Sequence, residues 1–126
     1  MALERFPYRV GCVDAGSNAI RFFAAEFTGP TQFETLAYER VPVRLGHQVF
    51  LTGQLAPQAM DGAVAAFGSF RDQMEALKLD AFRAVATSAT REAKNGQLLV
   101  DRLKEKTGIE LERISGTEEA RLVHLA

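Results

Sequence analysis

Three short polar segments of this sequence hold the side chains best suited to chemistry. The first, Asp14-Ala15-Gly16-Ser17-Asn18, lies between two apolar runs, with Arg21 just beyond it. Gly16 permits close backbone approach, and the amides from Gly16 to Asn18 can line a concave anion nest. Ser17 and Asn18 add side-chain donors. Asp14, at a strand end, suits a metal or its bound water, and Arg21 suits an anionic ligand. The second segment, Thr87-Ser88-Ala89-Thr90-Arg91, combines hydroxyls with a guanidinium at a helix start, which fits a phosphate. The third is Ser115-Gly116-Thr117-Glu118-Glu119-Ala120, in which Ser115 and Glu118 have the spacing of a capping box. Glu119 is turned about 100° from Glu118 on a helix, outside that box, and can act as a general base on water. Each segment also has a plain structural explanation. These are a hairpin turn, a helix cap at Thr87 or Ser88 beside a solvated Arg91, and a solvated glutamate in a first helical turn. Together they would place an anion nest, arginines and a carboxylate around one opening, which suits water attack on a phosphate.

That grouping depends on the elements between the segments. Residues 8–13 form a short apolar run that reads as a buried strand, and residues 20–27 form an aromatic-rich second strand. After a turn at 28–31, residues 33–43 alternate with a period of two, with Pro42 marking an edge or an end. Three strands on short turns predict an antiparallel meander. Met60, Val64, Phe67, Phe70, Met74 and Leu77 then have the spacing of an amphipathic helix, with Pro57 in its first turn. Residues 81–87 read as a fourth strand. Asn95 can cap a second helix that runs to about Lys106 and stops at Gly108. Ile109 and Leu111 alternate with Glu110 and Glu112 in a fifth strand, and residues 118–125 read as a third helix. The order β-β-β-α-β-α-β-α predicts an α/β fold with a mixed five-stranded sheet, its later strands parallel. The same order occurs in the ribonuclease-H-like lobe of actin-like ATPases. Loops at the carboxyl ends of such strands share one edge, where ligands usually bind.

Composition narrows the functional classes. A length of 126 residues with 47% hydrophobic and 25% charged content suits one soluble domain with its own core. The single cysteine, Cys12, allows neither an internal disulfide nor a cysteine-based zinc site. No apolar run approaches the ~20 residues that span a bilayer, and the start lacks the pattern of a secretory signal. The expected location is cytoplasmic, without a membrane partner. Fifteen basic residues against 16 acidic ones argue against a nucleic-acid partner.

The motifs are also familiar. Val13-Asp14-Ala15-Gly16-Ser17-Asn18-Ala19-Ile20-Arg21 resembles the first phosphate loop of the exopolyphosphatase and guanosine pentaphosphate phosphohydrolase (Ppx/GppA) family. Val85-Ala86-Thr87-Ser88-Ala89-Thr90-Arg91 and Ile114-Ser115-Gly116-Thr117-Glu118-Glu119-Ala120-Arg121 resemble two further family segments, the second carrying the catalytic glutamate. Val43-Arg44-Leu45-Gly46 adds support. The resemblance implies a two-lobed actin-like ATPase fold, Mg²⁺ dependence, and hydrolysis of terminal phosphate from polyphosphate or guanosine pentaphosphate. It implies Glu119 as catalytic base, phosphate contacts from Gly16, Ser17, Asn18, Arg21 and Arg91, and Asp14 near the metal. It also allows a homodimer of the full-length protein. Ala15 and Ala19 depart from the family pattern, and Ala19 removes a hydroxyl from the loop. The family's second glycine-rich aspartate loop is not reached by Ala126. Residues 1–126 are therefore expected to be the first lobe only, weak or inactive alone.

Overall fold

Alternation along the first three strands sorts side chains onto two faces of a sheet. The computed structural model describes residues 6–115, 117 and 118. β1 (Tyr8–Ala15), β2 (Ile20–Phe27) and β3 (Phe33–Val41) form the antiparallel meander expected from their short turns. β3 ends just before Pro42, earlier than the alternating pattern extends, because proline has no N–H for the ladder. Val13, Ala15, Ile20, Phe22 and Ala24 point into the core, whereas Cys12, Arg21 and Tyr38 lie exposed on the other face.

After β3 the chain forms α1 (Gly46–Thr52) and the long α2 (Pro57–Leu77), with Pro57 in its first turn as expected. β4 (Ala81–Ala86) follows and pairs parallel with β1. Next come a short α3 (Ser88–Glu92) and α4 (Gly96–Thr107), which stops at Gly108 in the left-handed conformation (φ 76°). β5 (Leu111–Arg113) pairs parallel with β4, giving the sheet order β3-β2-β1-β4-β5. β5 begins two residues later than the Ile109 alternation implies. Ile109 is nevertheless buried in the core. The expected helix at 118–125 falls almost wholly outside the described residues.

The core lies between the sheet and helices α2 and α4. Phe22 stacks on Phe70 with ring centroids 5.2 Å apart, and Phe67 packs beside Phe70 at 6.0 Å. Leu99 and Leu103 of α4 are fully buried in the same cluster. Helix α1 was not expected from the sequence, and α3 only as a helix start at 87–91, not as a separate short helix ahead of α4. At 7 and 5 residues, they are too short to display a helical period, and an isolated helix of that length does not form in water. Among the described residues no helix is long and apolar enough to cross a membrane.

Candidate active site

Parallel pairing of β1, β4 and β5 brings their carboxyl ends to one edge. The Thr87 N–H donates to the Ala15 carbonyl at 3.2 Å, and the Ile114 N–H donates to the Ala86 carbonyl at 3.2 Å. The 14–18 turn, the 87–91 segment and the chain leaving β5 therefore start side by side. Within the described residues, the polar segments picked out in the sequence leave neighbouring strand ends at one sheet edge.

The 14–18 turn is closed by the Gly16 N–H donating to the Ala19 carbonyl at 3.1 Å. Asp14 stands opposite Arg21 in the antiparallel register, and one of its carboxylate oxygens is buried. Ser17 Oγ is buried as well and has no hydrogen-bond partner among the described residues. Asn18 and Arg21 are exposed. Helix α1 braces this turn, because the Gly46 N–H donates to the Ser17 carbonyl at 2.8 Å. The approach leaves no room for a side chain at Gly46. A Cβ there would lie 2.9 Å from Ser17 Cβ and 3.2 Å from Phe50 Cε2. Gly46 belongs to a segment quoted for its resemblance, but its spacing alone carried no sign of this contact.

The second segment forms α3. Thr87 occupies its N-cap position in extended conformation but makes no side-chain cap bond, so the capping expected of Thr87 is not found. The side chain of Ser88 lies outside the described part. Thr90 is fully buried, and its hydroxyl has no partner among the described residues. Arg91 Nη1 donates to the Ile114 carbonyl at 3.2 Å, and its Nε pairs with Glu92 Oε1 at 3.2 Å. Arg113 Nη2 in turn donates to the Arg91 carbonyl at 3.0 Å. Arg91 thus ties α3 to the exit of β5. A groove of about 480 Å³, lined by Arg91, Gln97, Arg113, Ile114 and Ser115, opens beside it.

In the third segment the Glu118 N–H donates to Ser115 Oγ at 3.0 Å, which is one half of the expected capping box. Glu118 Oε1 lies 4.0 Å from Arg83 Nη2. Gly116 and Glu119, the expected catalytic base, lie outside the described residues.

The donor set bears on a metal. Among the described residues there is no cluster of three or more His, Cys, Asp or Glu side chains able to hold an ion. Asp14 is a carboxylate at the end of β1, beside the 14–18 turn. One carboxylate fits Mg²⁺, which keeps several waters and is commonly held by one or two carboxylates together with substrate phosphates. Cys12 lies two residues before Asp14 in β1. Partial burial, and then the negative charge of Asp14, push its thiol above the ordinary range.

Comparison with known proteins is consistent with this geometry. Residues 25–126 match the Ppx/GppA phosphatase family. The chain is 27% identical over 118 residues to Exopolyphosphatase 1 of Mycobacterium leprae, an alignment covering 94% of this chain and 35% of that protein. Its structure matches the Aquifex aeolicus member of the Ppx/GppA family with a TM-score of 0.85 at 26% identity, covering 90% of this chain and 37% of the other. An exopolyphosphatase from Cytophaga hutchinsonii matches with a TM-score of 0.85 at 32% identity, covering 90% and 36%. The chain therefore spans about a third of the length of the curated relatives it matches.

Proposed function

The chain belongs to the Ppx/GppA phosphatase family, and from that premise we propose that it forms the first of two actin-like lobes of a phosphohydrolase. The enzyme would release terminal phosphate from inorganic polyphosphate or guanosine pentaphosphate. The observation that carries this reading is the shared edge: Thr87, just before α3, is bonded through its N–H to the Ala15 carbonyl of the 14–18 turn, and Ile114 at the exit of β5 to the Ala86 carbonyl at the end of β4.

Chemistry at that edge would proceed as follows. The amides of Gly16, Ser17 and Asn18, with the exposed Arg21, bind and orient the terminal phosphoryl oxygens. Ser17 Oγ, buried without a partner among the described residues, gains one from a phosphate oxygen. Arg91 stands at the rim, oriented by its bond to the Ile114 carbonyl. Glu119 takes a proton from the water that attacks phosphorus in line, and the P–O bond to the leaving phosphate breaks. Asp14 would hold Mg²⁺, which when bound supplies charge neutralisation at the phosphoryl oxygens. With one jaw, the 126-residue chain cannot exclude water or clamp a phosphate chain, so its own turnover is expected to be weak or absent.

The test is phosphate release from polyphosphate by the full-length enzyme. Glu119→Gln should lower kcat by about 10²–10⁴-fold while substrate binding persists. A variant that keeps the wild-type rate overturns the assignment.

A further inference from the structure

The Ser17–Asn18 peptide is held from one side. Its carbonyl accepts from the N–H of Gly46, the first residue of α1, at 2.8 Å. Across a trans peptide the carbonyl and the N–H point in opposite directions. The bond to Gly46 therefore fixes the direction of the Asn18 N–H, which points away from α1. That amide is one of those to which the phosphate-loop reading gives the substrate.

Helix α1 cannot keep this bond by its own stability. At seven residues it is too short to stand alone, so its place is set by what holds its ends. Beyond its far end the chain is clamped to the stretch between α3 and α4. The Lys94 N–H donates to the Gly53 carbonyl at 2.9 Å. Asn95 Oδ1 accepts from the Leu55 N–H at 2.8 Å, and Asn95 Nδ2 donates to the Leu55 carbonyl at 3.1 Å. Helix α3 is tied to the same turn at its start, where the Thr87 N–H donates to the Ala15 carbonyl. Two short helices thus depart from the turn at Ser17 and Ala15, and the Asn95 side chain helps to join them again at their other ends.

We propose that Asn95 is a positioning residue for the reaction: through α1 it holds the Ser17–Asn18 peptide in the orientation that donates to the substrate phosphate. This rests on the phosphate-loop reading above and adds a residue outside the loop on which the loop depends.

The experiment is steady-state phosphate release from polyphosphate by the full-length enzyme. Asn95→Asp keeps an acceptor for the Leu55 N–H and loses the donor to the Leu55 carbonyl. It should raise KM about 10-fold, the low end of what one hydrogen bond to a charged oxygen contributes. Partial unfolding lowers the apparent kcat and leaves KM where it was, so KM separates positioning from stability. Thr107→Val is the control. It removes a buried hydroxyl that donates to the Leu103 carbonyl and accepts from the Ile109 N–H, at the opposite end of the strands. It should lower stability without moving KM. If Asn95→Asp does not fold, Asn95→Ala, which sets no charge against the Leu55 carbonyl, is measured in its place with the same rise expected. An unchanged KM in the folded Asn95 variant overturns the proposal, as does an equal rise in Thr107→Val. Arg21→Ala tests the loop itself. If it raises KM and the Asn95 variant does not, the phosphate-loop reading stands and the role of Asn95 falls. If neither moves KM, both fall.

Discussion

Hydroxyls buried without partners are the most informative single side chains. Ser17 Oγ and Thr90 Oγ1 have none among the described residues, and each lies in one of the segments that form the opening. A buried hydroxyl left unpaired costs about 1–3 kcal/mol. Natural sequences retain such a cost mostly where a ligand or a function compensates for it. Ser17 has such a ligand in the proposed phosphate. Thr90 is completely enclosed, which leaves its hydroxyl no route to solvent. Thr90→Val keeps the shape and removes the polar atom. It should raise unfolding free energy by about 1 kcal/mol, read from urea denaturation. A destabilised variant would mean that the hydroxyl has a partner in the folded protein.

Among the elements, Asn95 is the position where local and tertiary roles diverge. Its sequence context marks an N-cap, and it does occupy the N-cap position of α4, but without a side-chain cap bond. Its side chain bridges to the loop before α2. Asn95 Oδ1 accepts from the Leu55 N–H at 2.8 Å, and Nδ2 donates to the Leu55 carbonyl at 3.1 Å. A cap needs only an acceptor, whereas this bridge needs a donor and an acceptor on one side chain. Asp is as good an N-cap as Asn. Asn95→Asp should therefore be neutral for a cap, yet for this bridge it should cost about 1–3 kcal/mol, measured by chemical denaturation. Helices α1 and α3 follow the same logic. Neither has a period to read, and each exists because it docks, α1 on Ser17 through Gly46 and α3 on β5 through Arg91.

At the scale of the whole molecule, one aromatic cluster holds the sheet to its helices. Phe22, Phe67 and Phe70 are fully buried, with Phe22 and Phe70 stacked at an interplanar angle of 12°. Phe70→Ala would leave a cavity where β2 meets α2 and should cost about 3–5 kcal/mol. That approaches the whole stability of a small domain, for which the total is roughly 5–15 kcal/mol. Thermal unfolding followed by circular dichroism should show a large fall in Tm, and a near-native Tm would mean that the site collapses around the loss. The loops of the opening extend from strands in contact with this cluster, so phosphate binding should weaken in the same variant.

Much of this was written in the chain itself. The meander, the long α2, the end of α4 at Gly108 and the three polar segments are all legible, because alternation, helical spacing and turn residues are local properties of the backbone. The family is legible for a related reason: a phosphate loop needs specific residue types in a fixed order. Tertiary structure alone decided how these parts meet. Parallel pairing of β1, β4 and β5 brought segments more than 70 positions apart onto hydrogen-bonded neighbours, as with Thr87 and Ala15. Packing also set the brace at Gly46, diverted Asn95 from its cap and turned Arg91 towards Ile114. Those outcomes depend on distances between residues far apart in sequence, which no local period encodes.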